Sequence, residues 1–379
     1  MYLYQENQTY FAQVAEDIKP LAIVELESLG ATNLRPRFRG IAFTATTAVL
    51  YAINYNSRLV NRVLAPILYF NCHSDKYLYR RASELHWEDF LSNTNTFAVT
   101  ATVAQSAIKH SKFAALRLKD AIADYFRART NQRPSVDTRE PDLWINLHIE
   151  NNQATISIDT SGGSLHRRGY RLNSVAAPMI ETLAAALINQ IDWDKQTPIV
   201  DPFCGSGTLL CEAYLYATGT PTGSLRKRFG LEQLPDFDPE LWQQMKSTYN
   251  EQIQPLSPNL ISGSDRSATA VEAARKNCSL IVHHKEISIN EQDVFDIPAI
   301  NDKIIISNPP YGIRLENSND LGKFYQRLGD FLKQRCSGST AYIYFGDRQY
   351  IKKIGLHPSW KKAFNNGGLD GRLAKYVLY

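Results

Sequence analysis

IVDPFCGSGTLL, residues 199–210, passes from an apolar strand through a glycine turn into a helix. Ile199 and Val200 read as the end of a buried strand, Asp201 closes it, and Gly205 and Gly207 let the backbone run close to a ligand. The helix that follows offers free N–H groups at its start. This is not a phosphate loop, because it lacks both GxxxxGK[ST] and the full GxGxxG pattern. An acid ahead of a glycine turn suits a ligand that carries a positive amino group and no phosphate. A plain strand–helix turn would explain either glycine singly, but not the whole stretch.

Outward from this stretch, short apolar strands alternate with helices: LISGSDRS with ATAVEAARKNC, a strand near EISINEQDVF, KIIISNPPYG with DLGKFYQRLGDFLKQRC, and STAYIYFGD. A helix from about Ala177 precedes them. Alternation of this kind predicts an α/β fold with a doubly wound, mostly parallel sheet. The ending WKKAFNNGGLDGRLAKYVLY reads as two strands joined at Asn366–Gly367–Gly368, an antiparallel hairpin at the sheet's edge. Residues 219–257, rich in Pro, Arg and aromatics, read as an insertion after the first helix of this sheet.

Upstream of a break at Ser161–Gly162–Gly163–Ser164 the pattern changes. DIKPLAIVELESLG is helical, with Gly30 as its C-cap, and GIAFTATTAVLYAINY is strand-like; together they form a small α+β unit. NSRLVNRVLAPILYF places Leu59, Val63, Leu64 and Leu68 at helical spacing. TFAVTATV is a strand, residues 109–133 a long amphipathic helix, and LWINLHIE and QATISIDTS two strands. The expected domains are residues 1–54, 55–160 and 161–379.

Composition bounds the rest. Of 379 residues, 44% are hydrophobic and 21% charged, as in soluble globular proteins. There is no run of eighteen apolar residues and no signal-peptide pattern at the start. The five cysteines are scattered without a CxxC pair, which argues against a disulfide framework or structural zinc and fits a reducing cytosol. A cytoplasmic protein is expected. Residues 1–175 hold 20 Lys/Arg against 16 Asp/Glu, while the remainder is balanced; that excess is a weak pointer to nucleic acid. His283–His284 would point to opposite faces of a strand, so no metal site is expected.

Three further positions carry chemistry. Asp265, ending the strand of LISGSDRS, suits two ribose hydroxyls, although an acid there is more often a helix cap. Asp293 in NEQDVFD could accept from an adenine amine or be a plain loop acid. The third is Ser307–Asn308–Pro309–Pro310–Tyr311–Gly312. An exocyclic base amine is a poor nucleophile, because its lone pair is delocalised into the ring. The side-chain oxygen of Asn308 and a proline carbonyl can accept its two hydrogens and favour a pyramidal nitrogen. Tyr311 can stack on the base, and Pro309 and Pro310 make the arrangement rigid.

DPFCGSGT followed by NPPYG resembles the N-methyltransferases that use S-adenosylmethionine on exocyclic amines. FAALRLKDAIADYF resembles the helix of a THUMP domain, an RNA-binding module. SLHRRGYR, AAPMIETLAAAL and the closing NGGLDGRL resemble the RlmL type of 23S rRNA guanine-N2 methyltransferase, over essentially the whole chain. The resemblance implies a ferredoxin-like domain, a THUMP domain and a Rossmann-like methyltransferase domain, matching the N-terminal half of longer fused enzymes. It implies S-adenosylmethionine as cofactor, held by Asp201, Phe203, Gly205, Gly207, Thr208, Asp265, Asp293 and Asn308, with residues 308–311 as the catalytic loop. It implies RNA as partner, foremost 23S rRNA or a large-subunit precursor, and no membrane.

Residues 109–133 carry seven Lys/Arg against Asp120 and Asp124. In that setting Lys109, Lys112, Arg127, Arg129 and Arg133 are expected to contact RNA phosphates, while Arg168, at the domain junction with Arg167 and Arg171, is expected either to bind the RNA with them or to tie the domains together. SLRKRFG, residues 224–230, is a second basic cluster that could meet RNA near the active site or simply be solvated. The NPPY tetrapeptide alone does not separate guanine N2 from adenine N6, nor rRNA from tRNA. An RNA-binding factor with an inactive methyltransferase fold is the non-enzyme alternative, which the intact Asp201, Gly205, Gly207 and Asn308–Tyr311 speak against.

Overall fold

Alternation of apolar and polar residues builds the first sheet. Along Thr9–Gln13 every second residue is buried, the period-two signature of a strand with one covered face. The computed structural model describes residues 1–173, 179–281, 286–310, 318–365 and 369–379. The chain divides into two compact units, Met1–Leu165 with Arg226–Thr248, and His166–Leu225 with Tyr249–Tyr379.

The first unit holds strands β1 (Thr9–Gln13), β2 (Thr32–Arg37), β3 (Gly40–Thr44), β4 (Arg62–Asn71), β5 (Thr96–Ala104), β6 (Ser135–Val136), β7 (Leu143–Glu150) and β8 (Gln153–Asp159), with helices α1 (Leu3–Asn7), α2 (Lys19–Ser28), α3 (Thr47–Asn56), α4 (Asp75–Ser83) and α5 (Ser111–Thr130). Among the described residues the strands form one sheet in the order β2-β3-β1-β4-β8-β7-β5-β6. β4 pairs antiparallel with β1 on one side and with β8 on the other, so the two expected N-terminal domains share a single sheet.

Two expectations are corrected here. Residues 57–70, read as a helix, contain β4 instead. Val63, Leu64 and Ala65 are buried in succession, and such a run in a central strand imitates helical spacing. Pro66 was the signal against a helix; it sits where the β4–β8 register shifts. In GIAFTATTAVLYAINY the strand stops at Thr44, and α3 starts after Thr46, whose hydroxyl accepts from the Val49 amide. Residues 50–55 of this helix are all buried, so it shows no amphipathic stripe to read.

The second unit holds α6 (Glu181–Gln190), β9 (Ile199–Asp201), α7 (Thr208–Thr218), the last residues of α8 (Pro239–Glu251, of which residues 239–248 belong to the first unit), β10 (Ile261–Asp265), α9 (Ala268–Cys278), β11 (Ile287–Glu291), β12 (Ile304–Ser307), α10 (Ser318–Arg335), β13 (Thr340–Phe345), β14 (Trp360–Ala363) and β15 (Arg372–Val377). Its strand order is β11-β10-β9-β12-β13-β15-β14. β9 to β13 are parallel, and β15 runs antiparallel between β13 and β14. This is the doubly wound sheet with an antiparallel edge that the sequence predicts. From β9 the chain winds outward to β10 and β11, then returns to β12 on the other side of β9. That reversal is the switch point beyond the carboxyl ends of β9 and β12, the place where ligands of such sheets bind. Ile305, Ile343, Tyr325, Phe331 and Ile354 form part of the core on one face. The hairpin residues 366–368 and the histidine pair 283–284 lie outside the described residues.

The expected insertion behaves differently from a plain excursion of the second sheet. Its segment Arg226–Thr248 packs within the first unit. Phe229 and Trp242 meet edge to face at 5.1 Å, and Tyr51 and Tyr55 present their edges to the same indole at 5.5 and 5.8 Å. Arg226 donates to the Ser161 carbonyl at 2.7 Å, and Gly230 fits against Asp159, whose carbonyl a Cβ would meet at 1.9 Å.

Candidate active site

Asp201 and Asn308 come together because β9 and β12 are paired in parallel, with Ile304 beside Ile199 and Ile305 beside Val200. β9 ends at Asp201, ahead of Pro202, while β12 continues to Ser307. The Ser307 hydroxyl, fully buried, reaches across and donates to Asp201 Oδ1 at 2.7 Å. The Phe203 amide donates to the same oxygen at 3.0 Å. Asp201 Oδ2 accepts nothing from the described residues and remains available to a donor. Burial pushes the Asp201 carboxyl up to about 7, with the nearby Asp265 charge adding to the rise and the two hydrogen bonds opposing it. A carboxylate held in this way favours an incoming cation, which would relieve its desolvation.

Asp265 ends β10 and shapes the turn. Its Oδ2 accepts from the Gly205 amide and its Oδ1 from the Ser267 amide, at 3.0 and 2.9 Å. The cap of α9 is Ser267, not Asp265. Each Asp265 oxygen keeps a lone pair for a further donor. The neighbouring Ser264 hydroxyl is buried without a partner. Gly205 and Gly207 have φ of 53° and 82°, the region that favours glycine. A Cβ on Gly207 would also meet Ala274 at 3.2 Å, so this glycine seats α7 against α9. Thr208 opens α7, but its buried hydroxyl accepts from Arg171 at 3.1 Å, leaving it turned to the protein. Asp293 accepts from the Phe295 amide at 3.0 Å and caps a short turn. Phe203 lies edge to face on Phe324 at 5.7 Å.

The catalytic-loop candidates follow β12 directly. Asn308 Oδ1 is buried and accepts no hydrogen bond from any described residue. Buried carbonyl oxygens are rarely left in this state, because the lost solvation costs about 1–3 kcal/mol. Pro309 is buried and Pro310 half-buried. Tyr311 lies outside the described residues. The sequence offered no hint of Tyr325, which is fully buried and donates to the Pro310 carbonyl at 3.4 Å. Its ring stacks on Tyr350 at 5.0 Å, so a rigid aromatic post holds the second proline. Ser307 was likewise visible only as the end of an apolar strand.

The candidates for RNA contact separate into two groups. Lys109, Lys112, Arg127, Arg129 and Arg133 are exposed at or beyond the ends of α5. Arg127 pairs with Asp124 at 2.7 Å, and Arg129 lies over the Tyr125 ring at 3.6 Å. Arg168 is corrected: it is 2% exposed and lies beside Glu212, which also accepts from Tyr170 at 2.9 Å. A side chain so enclosed holds its own unit together and does not reach a phosphate. Arg171 is likewise committed to Glu181 at 2.7 Å. In the second basic cluster, Arg226 is bound to backbone carbonyls and Arg228 to Asp142, while Lys227 is exposed. Cys204 is buried, which drives its thiol well above the ordinary value and suits packing, not nucleophilic attack. Among the described residues no three His, Cys, Asp or Glu side chains gather as metal ligands, and no helix is long and apolar enough to cross a membrane.

Residues 168–375 match the family described as the RMKL-like methyltransferase domain. The chain belongs to this family. Upstream, residues 9–64 match the RlmL ferredoxin-like domain and residues 72–159 the THUMP domain. A Synechocystis protein provisionally named an RNA methyltransferase is 39% identical over 98% of this chain and 97% of its own length. The ribosomal RNA large subunit methyltransferase K/L of Syntrophotalea carbinolica is 36% identical over 97% of this chain and 53% of its own. The chain thus spans about half the length of its K/L relatives. Among solved structures, SMU.472 complexed with SAH is 26% identical, with a TM-score of 0.84 and 98% of each chain covered. The ferredoxin-like, THUMP and methyltransferase order expected from the sequence agrees with these matches.

Proposed function

We propose that this RMKL-like methyltransferase uses S-adenosylmethionine to methylate the exocyclic N2 of a guanine in 23S rRNA, acting in the cytoplasm. The observation that carries the reading is the buried, unpartnered Asn308 Oδ1 at the carboxyl end of β12. A buried acceptor that no described residue satisfies suits an incoming donor, and an exocyclic amine is such a donor. When bound, the cofactor supplies an electrophilic methyl group carried on a sulfonium. The chain's residues suit it: Asp201 Oδ2 is open to an ammonium, and Asp265 and Ser264 offer polar atoms at the tip of the neighbouring strand.

The protein's own part is positioning. Asn308 Oδ1 takes one amine hydrogen, and a proline carbonyl of the loop takes the other. Withdrawing the amine's hydrogens from the plane of the base ring returns the lone pair to nitrogen. Pro309 and Pro310, with Tyr325 fastened to the Pro310 carbonyl, fix both acceptors before the base arrives. No general base of shifted pKa is needed, since the amine becomes acidic only as its bond to carbon forms and then loses its proton to solvent. Tyr311 would stack on the extruded base. The THUMP match and the names of the K/L relatives support RNA, and large-subunit rRNA in particular, as substrate.

The test is methyl transfer from labelled S-adenosylmethionine to RNA from cells lacking the protein. Large rRNA, tRNA and DNA would be offered separately. Label in large rRNA, absent with Asn308→Ala, is expected. Label confined to tRNA or DNA would replace the substrate, and no label in any of them, precursor particles included, would remove the enzyme reading.

A further inference from the structure

The described structure leaves one strongly basic feature unused. β2 and β3 form a hairpin at the edge of the first sheet, with Arg37 beside Gly40 and a turn of Phe38 and Arg39 between them. The stretch reads Arg35–Pro36–Arg37–Phe38–Arg39, and all five residues are exposed. Phe38 is 68% exposed at the tip. None of the three guanidiniums has a carboxylate partner among the described residues. Glu16, beside the turn, is already engaged by Lys19 and by the Arg39 amide. By contrast, α5 spends Arg117, Lys119 and Arg127 on neighbouring aspartates.

The tip borders a cleft of about 1000 Å³ on the open face of the sheet, whose lining includes Phe11, Arg37, Phe38, Arg39, Asn146 and His148. Thr9, Phe11 and Gln13 of β1 face it, while Tyr10 and Ala12 face the core. Glu150 also lines the cleft, 3.7 Å from His148. Charge and a proline on an edge strand can serve merely to block pairing with another sheet. That purpose is worked against by an exposed phenylalanine at the tip. An aromatic ring with Arg39 over one face at 5.2 Å, flanked by arginines that form no salt bridge, instead matches a nucleobase flanked by phosphates, which would stack on the other face.

We propose that the Arg35–Arg39 hairpin tip and its cleft bind single-stranded RNA, with Phe38 stacking on a base and Arg35, Arg37 and Arg39 contacting phosphates. The proposal rests on the RNA reading above. Its ligand is an unpaired segment, because a stacking ring needs a base free of its helix.

The experiment measures binding of the full chain to a single-stranded oligoribonucleotide and to a duplex of the same sequence, across a salt series. Phe38→Ala should weaken single-strand binding by about tenfold, and Phe38→Trp should retain it. Replacing Arg35, Arg37 and Arg39 by Gln should lower the steepness of the log–log salt dependence by about two, the loss of three phosphate contacts to a single strand. Thermal melting and cofactor affinity should be unchanged in each variant. Equal single-strand binding by the variants, a wild-type preference for the duplex, or variants that only self-associate would overturn the proposal. The two readings fail separately. If rRNA is methylated and the hairpin variants keep their KM for RNA, the hairpin proposal falls while the enzyme stands. If nothing is methylated but the variants lose RNA binding, the reverse holds.

Discussion

The two sheets display their polar groups in opposite ways. In the second unit, Asp201, Ser307 and Asn308 Oδ1 are buried at strand ends and fixed by backbone pairing. In the first unit, the basic side chains at the ends of α5 and at the β2–β3 tip are exposed. Buried groups cannot be screened and are fixed in direction, which is what orienting a lone pair requires. Exposed cations are long-ranged, tolerant of geometry and salt-sensitive, which is what gathering a polyanion requires. On the proposed reading, chemistry and capture fall to different kinds of surface.

The sharpest way to break this contrast is at Asn308. Asn308→Ala should lower the single-turnover methylation rate by about 10²–10³, with RNA affinity unmoved. A loss of RNA binding instead would mean that the buried site also captures substrate. Next, Arg168→Met should destabilise the protein by about 3 kcal/mol in denaturant melts, since the buried Glu212 would lose the guanidinium beside it. An undisturbed melt with weakened RNA binding would return Arg168 to the capture surface.

A third effect concerns pH. If Asp201 receives the cofactor's ammonium as proposed, binding needs it ionised, and its carboxyl is pushed up to about 7. The charged form is therefore scarce at pH 6 and dominant at pH 8, so calorimetric affinity should rise about tenfold over that interval. Asp201→Asn should bind weakly with a flat profile. Ser307→Ala removes a bond that favours the ionised form and should move the rise to higher pH. The smallest effect is expected from Tyr325→Phe, which keeps the stack on Tyr350 but releases the Pro310 carbonyl. A loss of severalfold in kcat, with unchanged KM and melting, would mark it as a positioning residue.

Sequence and structure part company in physical terms. The parallel sheet was legible because each strand is a short apolar run closed by a turn residue, and the glycine turn and NPP loop sit where strands stop. β4 and α3 were not legible, because burial on every side erases the period that separates strand from helix. The role of Ser307 arises only from β9–β12 pairing across a hundred residues, and that of Tyr325 only from the packing of α10. Arg168 stayed open between RNA and a structural tie because nothing in HRRGYR announces Glu212. The destination of Arg226–Thr248, packed on Tyr51 and Tyr55, is a long-range choice that local composition does not encode.

The most direct measurement of the central claim is the identity of the methylated atom. RNA labelled by the wild-type protein would be digested to nucleosides and resolved by mass and chromatography. The account predicts N2-methylguanosine, an exocyclic amine product for which a vacant acceptor at Asn308 is needed. Label on a ring carbon, a ring nitrogen or a ribose 2′-oxygen would contradict it, since none of those reactions needs that acceptor.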